Sequence, residues 1–270
     1  EQDLGKLEKI FKATYQTVVE KRKTEFPKGK TICVFSSKGG VGKSFISYHL
    51  AHYLPTFIPG KMMLTDLGVP FGSLKNLLNI ETTSSWQVLR PLLKTGKELT
   101  ISRVSAQITH TTLGFDVLGT PNNLIEQPLT SEELGYLQTT ISSEYMLNII
   151  DLPSSITPEL EKLAVQLDLL IWVITPDSNS FRHAVEFKQF LKNKQLDTKV
   201  LFVCNFVEPI QDKNLLHSFE KMLGEQISII ENDTESVKYH QRRFELFIDN
   251  TVVLTDQLEE FRQKVFFSIT

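Results

Sequence analysis

Cysteine is nearly missing from this chain of 270 residues, where only Cys33 and Cys204 occur. That excludes a small fold stapled by disulfides. Both sit in β-like apolar runs, which reads as buried free thiols in a reducing compartment; a bridge between neighbouring parallel strands is the alternative. No apolar run reaches the ~18 residues that a membrane-spanning helix needs, and no secretory signal opens the chain. An excess of one charge is missing too: 29 Lys and Arg stand against 32 Asp and Glu, a formal net charge of −3. Attraction to nucleic acid or anionic lipid would have to come from a local patch. The six histidines show no metal-ligand spacing with cysteines or carboxylates, and no serine lies in a G-x-S-x-G frame. What remains is an ordinary globular composition, 41% hydrophobic and 23% charged, enough for one large α/β domain or a domain with an appendage.

The most informative segment is Ser37-Lys38-Gly39-Gly40-Val41-Gly42-Lys43-Ser44. It follows the apolar run Thr31–Phe35 and leads into a helical pattern from Phe45 to Ala51. A strand, a glycine-rich turn and a helix N-terminus make a phosphate cradle, because backbone N–H groups and the positive helix end converge on one spot. Lys43 would reach the β- and γ-phosphates, and the Ser44 hydroxyl would bind Mg²⁺. Lys38 is an extra cation that an ordinary phosphate loop does not require. The bland alternative is a glycine-rich turn with surface lysines.

Strand-like segments follow at Met62–Asp66, Phe115–Leu118, Met146–Asp151, Leu169–Thr175 and Val200–Asn205, with a weaker one at Ile227–Ile230. Helical patterns lie near 73–79, 84–93, 130–142, 157–167, 179–193 and 212–223. Near-continuous apolar strands alternating with helices indicate a three-layer α/β domain, a mostly parallel twisted sheet covered on both faces. Functional residues then belong at the carboxyl ends of the strands. Residues 94–113 are polar, rich in Thr and without period, and read as an irregular excursion. Residues 1–28 form a leader: Leu4, Leu7, Phe11, Tyr15 (or Thr14), Val18 and Val19 recur at helical spacing until Pro27 and Gly29 break it. The start at Glu1-Gln2 without methionine fits a trimmed product or part of a longer protein with an upstream domain. Residues 29–270 form the main domain. Its tail positions Leu254, Leu258, Phe261, Val265 and Phe266 have helical spacing and read as a helix packed on the domain.

Three polar residues end apolar strands. Asp151 closes a buried run, and a buried carboxylate needs a cationic or hydrogen-bonding partner. Beside a phosphate loop that partner is the Mg²⁺ held by Ser44; capping of the following helix is the alternative. Asp66 sits likewise and faces the γ-phosphate side, ahead of a loop of glycines and a proline. Asn205 presents an amide that could read an adenine edge with paired donor and acceptor, or simply be a polar turn residue.

These segments resemble the deviant phosphate-loop ATPases of the ParA/MinD superfamily. The likeness is carried by Ser37–Ser44, by Tyr145–Pro153, and by Asp168–Pro176 with Ser180-Phe181-Arg182-His183-Ala184. Within that superfamily Asp66–Leu74 and Phe115–Pro121 are most similar to the CpaE/TadZ branch associated with Tad (Flp-type) pilus assembly. The resemblance implies ATP and Mg²⁺ as cofactors, with nucleotide contacts from Lys38, Gly39, Gly40, Val41, Gly42, Lys43, Ser44, Phe45 and Asn205. It implies Ser44, Asp66 and Asp151 at the metal, and Lys38, Lys43 and Asp66 in catalysis. It also implies an ATP-dependent homodimer in which Lys38 binds the partner's phosphates, and a cytoplasmic switch recruited to a cell pole or to pilus or secretion machinery.

The sequence departs from that pattern at Gly68, where the family carries a second acidic residue that handles the attacking water. Glycine can neither orient nor deprotonate water, so binding is expected to survive while hydrolysis is slow or lost. The proline of the adenine-flanking loop is missing near Ile230–Asp233, and His240, Arg243 and Phe244 stand downstream where small residues are usual. Three alternatives follow: a non-hydrolysing scaffold, a ParA-like DNA binder using Lys238, His240, Arg242 and Arg243, and a MinD-like membrane switch using the tail. Nucleic acid and membrane are the less favoured partners, because four basic residues on an acidic chain more often form a solvated face and Asp256, Glu259 and Glu260 oppose anionic lipid.

Overall fold

The computed structural model describes residue 17 and residues 26–80, 84–95, 99–120, 127–154, 160–164, 166–233 and 252–270. Its centre is an eight-stranded sheet in the order β3-β4-β2-β5-β1-β6-β7-β8. The strands are β1 (Lys30–Phe35), β2 (Met62–Asp66), β3 (Thr109–His110), β4 (Asp116–Leu118), β5 (Leu147–Asp151), β6 (Leu169–Ile174), β7 (Val200–Val207) and β8 (Ser228–Glu231). All neighbours pair in parallel except β3, which runs antiparallel to β4 at the edge.

The described helices are α1 (Lys43–Tyr53), α2 (Leu74–Leu77), α3 (Arg90–Leu93), α4 (Ile101–Ser105), α5 (Ser131–Ser142), α6 (Leu160–Ala164), α7 (Ser178–Asn193), α8 (Pro209–Leu223) and α9 (Val252–Ile269). The central strands β1, β2, β5 and β6 bury both faces, and alternation along β1 sorts the core into two layers. Cys33 and Phe35 face one cluster with Leu134, Leu137 and Ile141 of α5 and Phe181, Ala184 and Phe187 of α7. Ile32 and Val34 face the other, with Ile46 and Leu50 of α1 and Leu258, Phe261 and Val265 of α9. The tail helix thus packs its apolar stripe on the domain. Among the described residues no helix is long and apolar enough to cross a membrane.

Local signals explain the helix starts. Thr130 and Glu133 close a capping box at α5, and Asp177 caps α7 by accepting from the Ser180 N–H. Cys33 and Cys204 are buried free thiols. They lie on β1 and β7 with β6 between them, so no bridge joins neighbouring strands.

Two expectations are corrected. Residues 94–113 are not irregular throughout: α4 and the edge strand β3 lie there. A two-residue, polar strand carries no hydrophobic alternation for a sequence reading to detect. The pattern over 84–93 is a 3₁₀ turn, Trp86–Leu89, running into α3, started by the Ser85 hydroxyl accepting from the Gln87 N–H. The leader residues Leu4, Leu7, Phe11, Thr14, Tyr15, Val18 and Val19 and the basic group Lys238–Arg243 lie outside the described residues.

The sheet order makes β1 the pivot of the site. It pairs with β5 on one side and β6 on the other, while the chain leaving α1 passes over β5 to form β2. Strand order therefore reverses at β1, and the loop 36–42 leaves its carboxyl end in the resulting crevice.

Candidate nucleotide site

The cradle is built by backbone conformation. Gly40 and Gly42 have φ of 75° and 92°, the left-handed region that glycine enters without steric cost. Gly42 caps α1 with no side-chain bond, so no capping side chain stands over the first turn of that helix. A Cβ on Gly42 would also meet Asn205 Nδ2 at 2.3 Å.

Lys43 and Ser44 stand at the first turn of α1. Lys43 Nζ donates to Ser154 Oγ at 2.8 Å, and burial lowers its pKa against the opposing pull of the Asp151 charge. The Ser44 hydroxyl donates to Asp151 Oδ2 at 2.5 Å and lies 2.5 Å from Ser73 Oγ. Asp151 is brought there because the β5 ladder continues past its end: Leu67 N donates to Asp151 O and Leu152 N to Val34 O, each at 3.0 Å. Its second oxygen, Oδ1, is buried and has no hydrogen-bond partner. Burial and the facing Asp66 charge push the Asp151 pKa up, with Ser44, Lys43 and Ser47 opposing.

Asp66 and Asp151 are register partners on adjacent strands. Asp66 is wholly buried and its carboxylate fastens the loop that follows. Oδ1 accepts from Gly68 N at 2.8 Å, and Oδ2 accepts from Ser73 N and Leu74 N at 3.0 Å. Its carbonyl accepts from Trp86 Nε1 and Thr120 Oγ1, both at 2.8 Å. Burial raises its pKa and those amides hold it back. Gly72 is required by this knot, since a Cβ there would meet Thr120 Cβ at 2.4 Å and Asp66 Oδ2 at 2.5 Å. The loop leaves Phe71 62% exposed beside the site.

An orphaned carboxylate oxygen beside a serine hydroxyl and a lysine suits a hard divalent cation that keeps most of its waters. Ser44 and Asp151 fit Mg²⁺ in this way. Among the described residues no cluster of three or more His, Cys, Asp or Glu forms a closed metal cage.

The remaining expected residues are placed as follows. Val41 is buried, while Gly39 and Gly40 are exposed on the rim and Phe45 is half-buried on α1. Lys38 points outward, its side chain 54% exposed, and Nζ lies 3.2 Å from Asp177 Oδ2. Asn205 is buried, and Nδ2 donates to the Val41 carbonyl at 2.9 Å. That bond uses one of the two amide N–H donors and ties the strand end to the loop.

Sequence reasoning missed Ser73, Ser154, Asp177 and His183. His183 Nδ1 lies 2.9 Å from Ser37 Oγ. Asp177 receives hydrogen bonds from Thr175 Oγ1, the Ser180 hydroxyl and N–H, and Lys38. Burial works to raise its pKa, yet these donors together hold it far below the usual carboxylate range. The Asp-x-x-Ser spacing at 177–180 is a helix-start signal that marks this carboxylate, though not its reach to the loop.

No family model matches the chain, and no curated protein sequence does. Solved structures do. A ParA family ATPase from Chlorobium tepidum matches with a TM-score of 0.72 and 21% identity, over 88% of this chain and 98% of that one. MinD in the MinC:MinD cell division complex of Aquifex aeolicus gives 0.67 and 18%, over 88% and 96%. A putative plasmid partition protein of Borrelia burgdorferi bound to AMPPNP gives 0.66 and 17%, over 89% and 99%. Phosphate-loop geometry, strand order and these matches agree: this chain has the fold of the ParA and MinD ATPases.

Proposed function

We propose that the chain is a nucleotide-dependent switch. It binds ATP with Mg²⁺ on the loop 36–44 and pairs with a second copy when the triphosphate is present. The observation that carries this is the Ser44–Asp151 contact beside Lys43, with Asp151 Oδ1 buried and unmatched. A relative that holds AMPPNP supports the ligand class.

The chain's own residues divide the work. The N–H groups of the first turn of α1 and Lys43 would hold phosphate oxygens, Ser44 and Asp151 would hold Mg²⁺, and Mg²⁺ when bound would neutralise charge on the phosphates. Asp66 holds the loop 67–74 whose amides it gathers. Lys38, exposed at the rim, is the cation a partner's triphosphate needs, since two facing triphosphates repel unless positive charge lies between them. The likeness of Asp66–Leu74 to the CpaE/TadZ branch supports a cytoplasmic switch that positions pilus-assembly machinery.

Gly68 favours a second reading, a nucleotide-held scaffold with little turnover. A Cβ there would meet Asp66 Oδ1 at 3.0 Å and the Phe71 carbonyl at 3.2 Å, so the loop is packed around a residue with no side chain. Calorimetric titration with Mg²⁺-ATP, followed by phosphate release on the same samples, tests both. Binding by wild type and loss in Lys43→Ala supports the switch or the scaffold; turnover no higher than that variant's selects the scaffold. Absence of binding by wild type removes both.

A further inference from the structure

One residue beside the cradle has a conformation that its chemistry disfavours. Phe206 has φ of 62°, in the left-handed region. Among the described residues the other non-glycine residues there are Asn79 and Gln195. A bulky aromatic has no local reason to adopt that backbone, and such strain persists only where the surroundings impose it.

The cause is a bulge. The register of β7 against β8 shifts between Cys204 and Val207, so Phe206 falls out of the alternation that its neighbours follow. Cys204 and Val207 both enter one core cluster, and Val203 enters the other. Phe206 belongs to neither and is only half-buried. Its ring reaches Gly42 instead, with Cζ 3.8 Å from where a Cβ on that glycine would stand. An aromatic ring has thus been taken out of the sheet and set at the edge of the phosphate loop.

We propose, on the footing of the nucleotide-binding reading, that Phe206 is the stacking platform for the nucleobase. The face of the base then makes the main contact. Asn205, one residue earlier, has one amide N–H engaged by Val41 and fixes the loop while Phe206 meets the purine. Stacking is tolerant of base identity because every purine offers a π face. A site built on edge hydrogen bonds would instead reject the wrong base strongly. The ligand class is therefore purine nucleoside triphosphates, with weak choice between adenine and guanine.

Calorimetry on the full chain with Mg²⁺-ATP, Mg²⁺-GTP and Mg²⁺-tripolyphosphate separates base from phosphate. Wild type is expected to bind ATP and GTP within about tenfold of each other. Phe206→Gly should weaken both roughly tenfold or more and leave tripolyphosphate unchanged. Glycine suits the left-handed backbone, so this variant should keep its melting temperature, which a purely structural role for the ring would not allow. Phe206→Tyr should bind like wild type. The proposal is overturned if Phe206→Gly binds ATP as wild type does, if tripolyphosphate affinity falls equally, or if wild type prefers ATP by about a hundredfold. Failure of wild type to bind tripolyphosphate or any nucleotide would instead remove the nucleotide reading itself.

Discussion

Lys38 Nζ lies 3.2 Å from Asp177 Oδ2, so the extra lysine of the phosphate loop rests on the N-cap of α7 in its own chain. Both side chains are well exposed, at 54% and 35%. A pair of this kind contributes about 1 kcal/mol or less, so it can hold the lysine without trapping it.

Releasing that lysine should favour pairing. Asp177→Asn keeps a capping oxygen for the Ser180 N–H but removes the charge facing Lys38. The ATP-dependent dimer is expected at protein concentrations roughly two- to fivefold lower than for wild type, read by sedimentation. Asp177→Ala also loses the cap and should cost about 1 kcal/mol of stability.

Gly72 and Gly39 make a steric contrast. At Gly72 a Cβ would strike Thr120 and Asp66, whereas at Gly39 nothing lies within 4 Å. Gly72→Ala should lower the melting temperature clearly, by about 1–3 kcal/mol of stability, because the Asp66 knot must open. Gly39→Ala should melt like wild type. Equal melting of the two variants would remove the structural role assigned to the knot.

Gly68→Asp is not expected to restore fast turnover. It adds a side chain where Asp66 Oδ1 and the Phe71 carbonyl already lie within 3.2 Å, and it sets a carboxylate beside a buried one. The variant should be less stable than wild type by about 1–3 kcal/mol, measured by urea unfolding. A variant as stable as wild type with turnover raised ~100-fold would show that the loop has room for the water-handling residue.

His49 makes stability depend on acid. It lies buried on α1, and burial, with His52 and Arg262 adding to it, lowers its pKa to about 3. The unfolded chain binds this proton near pH 6.5 and the folded chain does not, so stability falls as pH drops from about 6.5 toward 3. The slope from this one group approaches ~1.4 kcal/mol per pH unit in mid-window. His49→Leu should flatten the urea-unfolding profile between pH 6 and 4. An unchanged slope would remove His49 as the cause.

How much of this was legible depended on distance along the chain. The strand, loop and first helix from Thr31 to Ala51 are contiguous, and their chemistry could be read directly. Asp66 and Asp151 were visible as acids at the tips of apolar runs, and the tail helix as a 3.6-residue stripe. What was hidden is what tertiary structure brings together. Asp177 lies 139 positions from Lys38, and His183 lies 146 from Ser37. The direction of Asn205 toward Val41 depends on β6 standing between β1 and β7, which no local pattern encodes. The left-handed Phe206 arises from a register shift between β7 and β8, a property of pairing that neither strand carries alone.

Triphosphate, we propose, joins two copies through Lys38. Sedimentation of the 30.9 kDa chain with and without Mg²⁺-ATP tests it most directly, alongside Lys38→Ala. Wild type should double its mass only with ATP, while Lys38→Ala binds ATP and stays single. Wild type that remains single with ATP bound, or a Lys38→Ala variant that pairs equally well, would contradict the account.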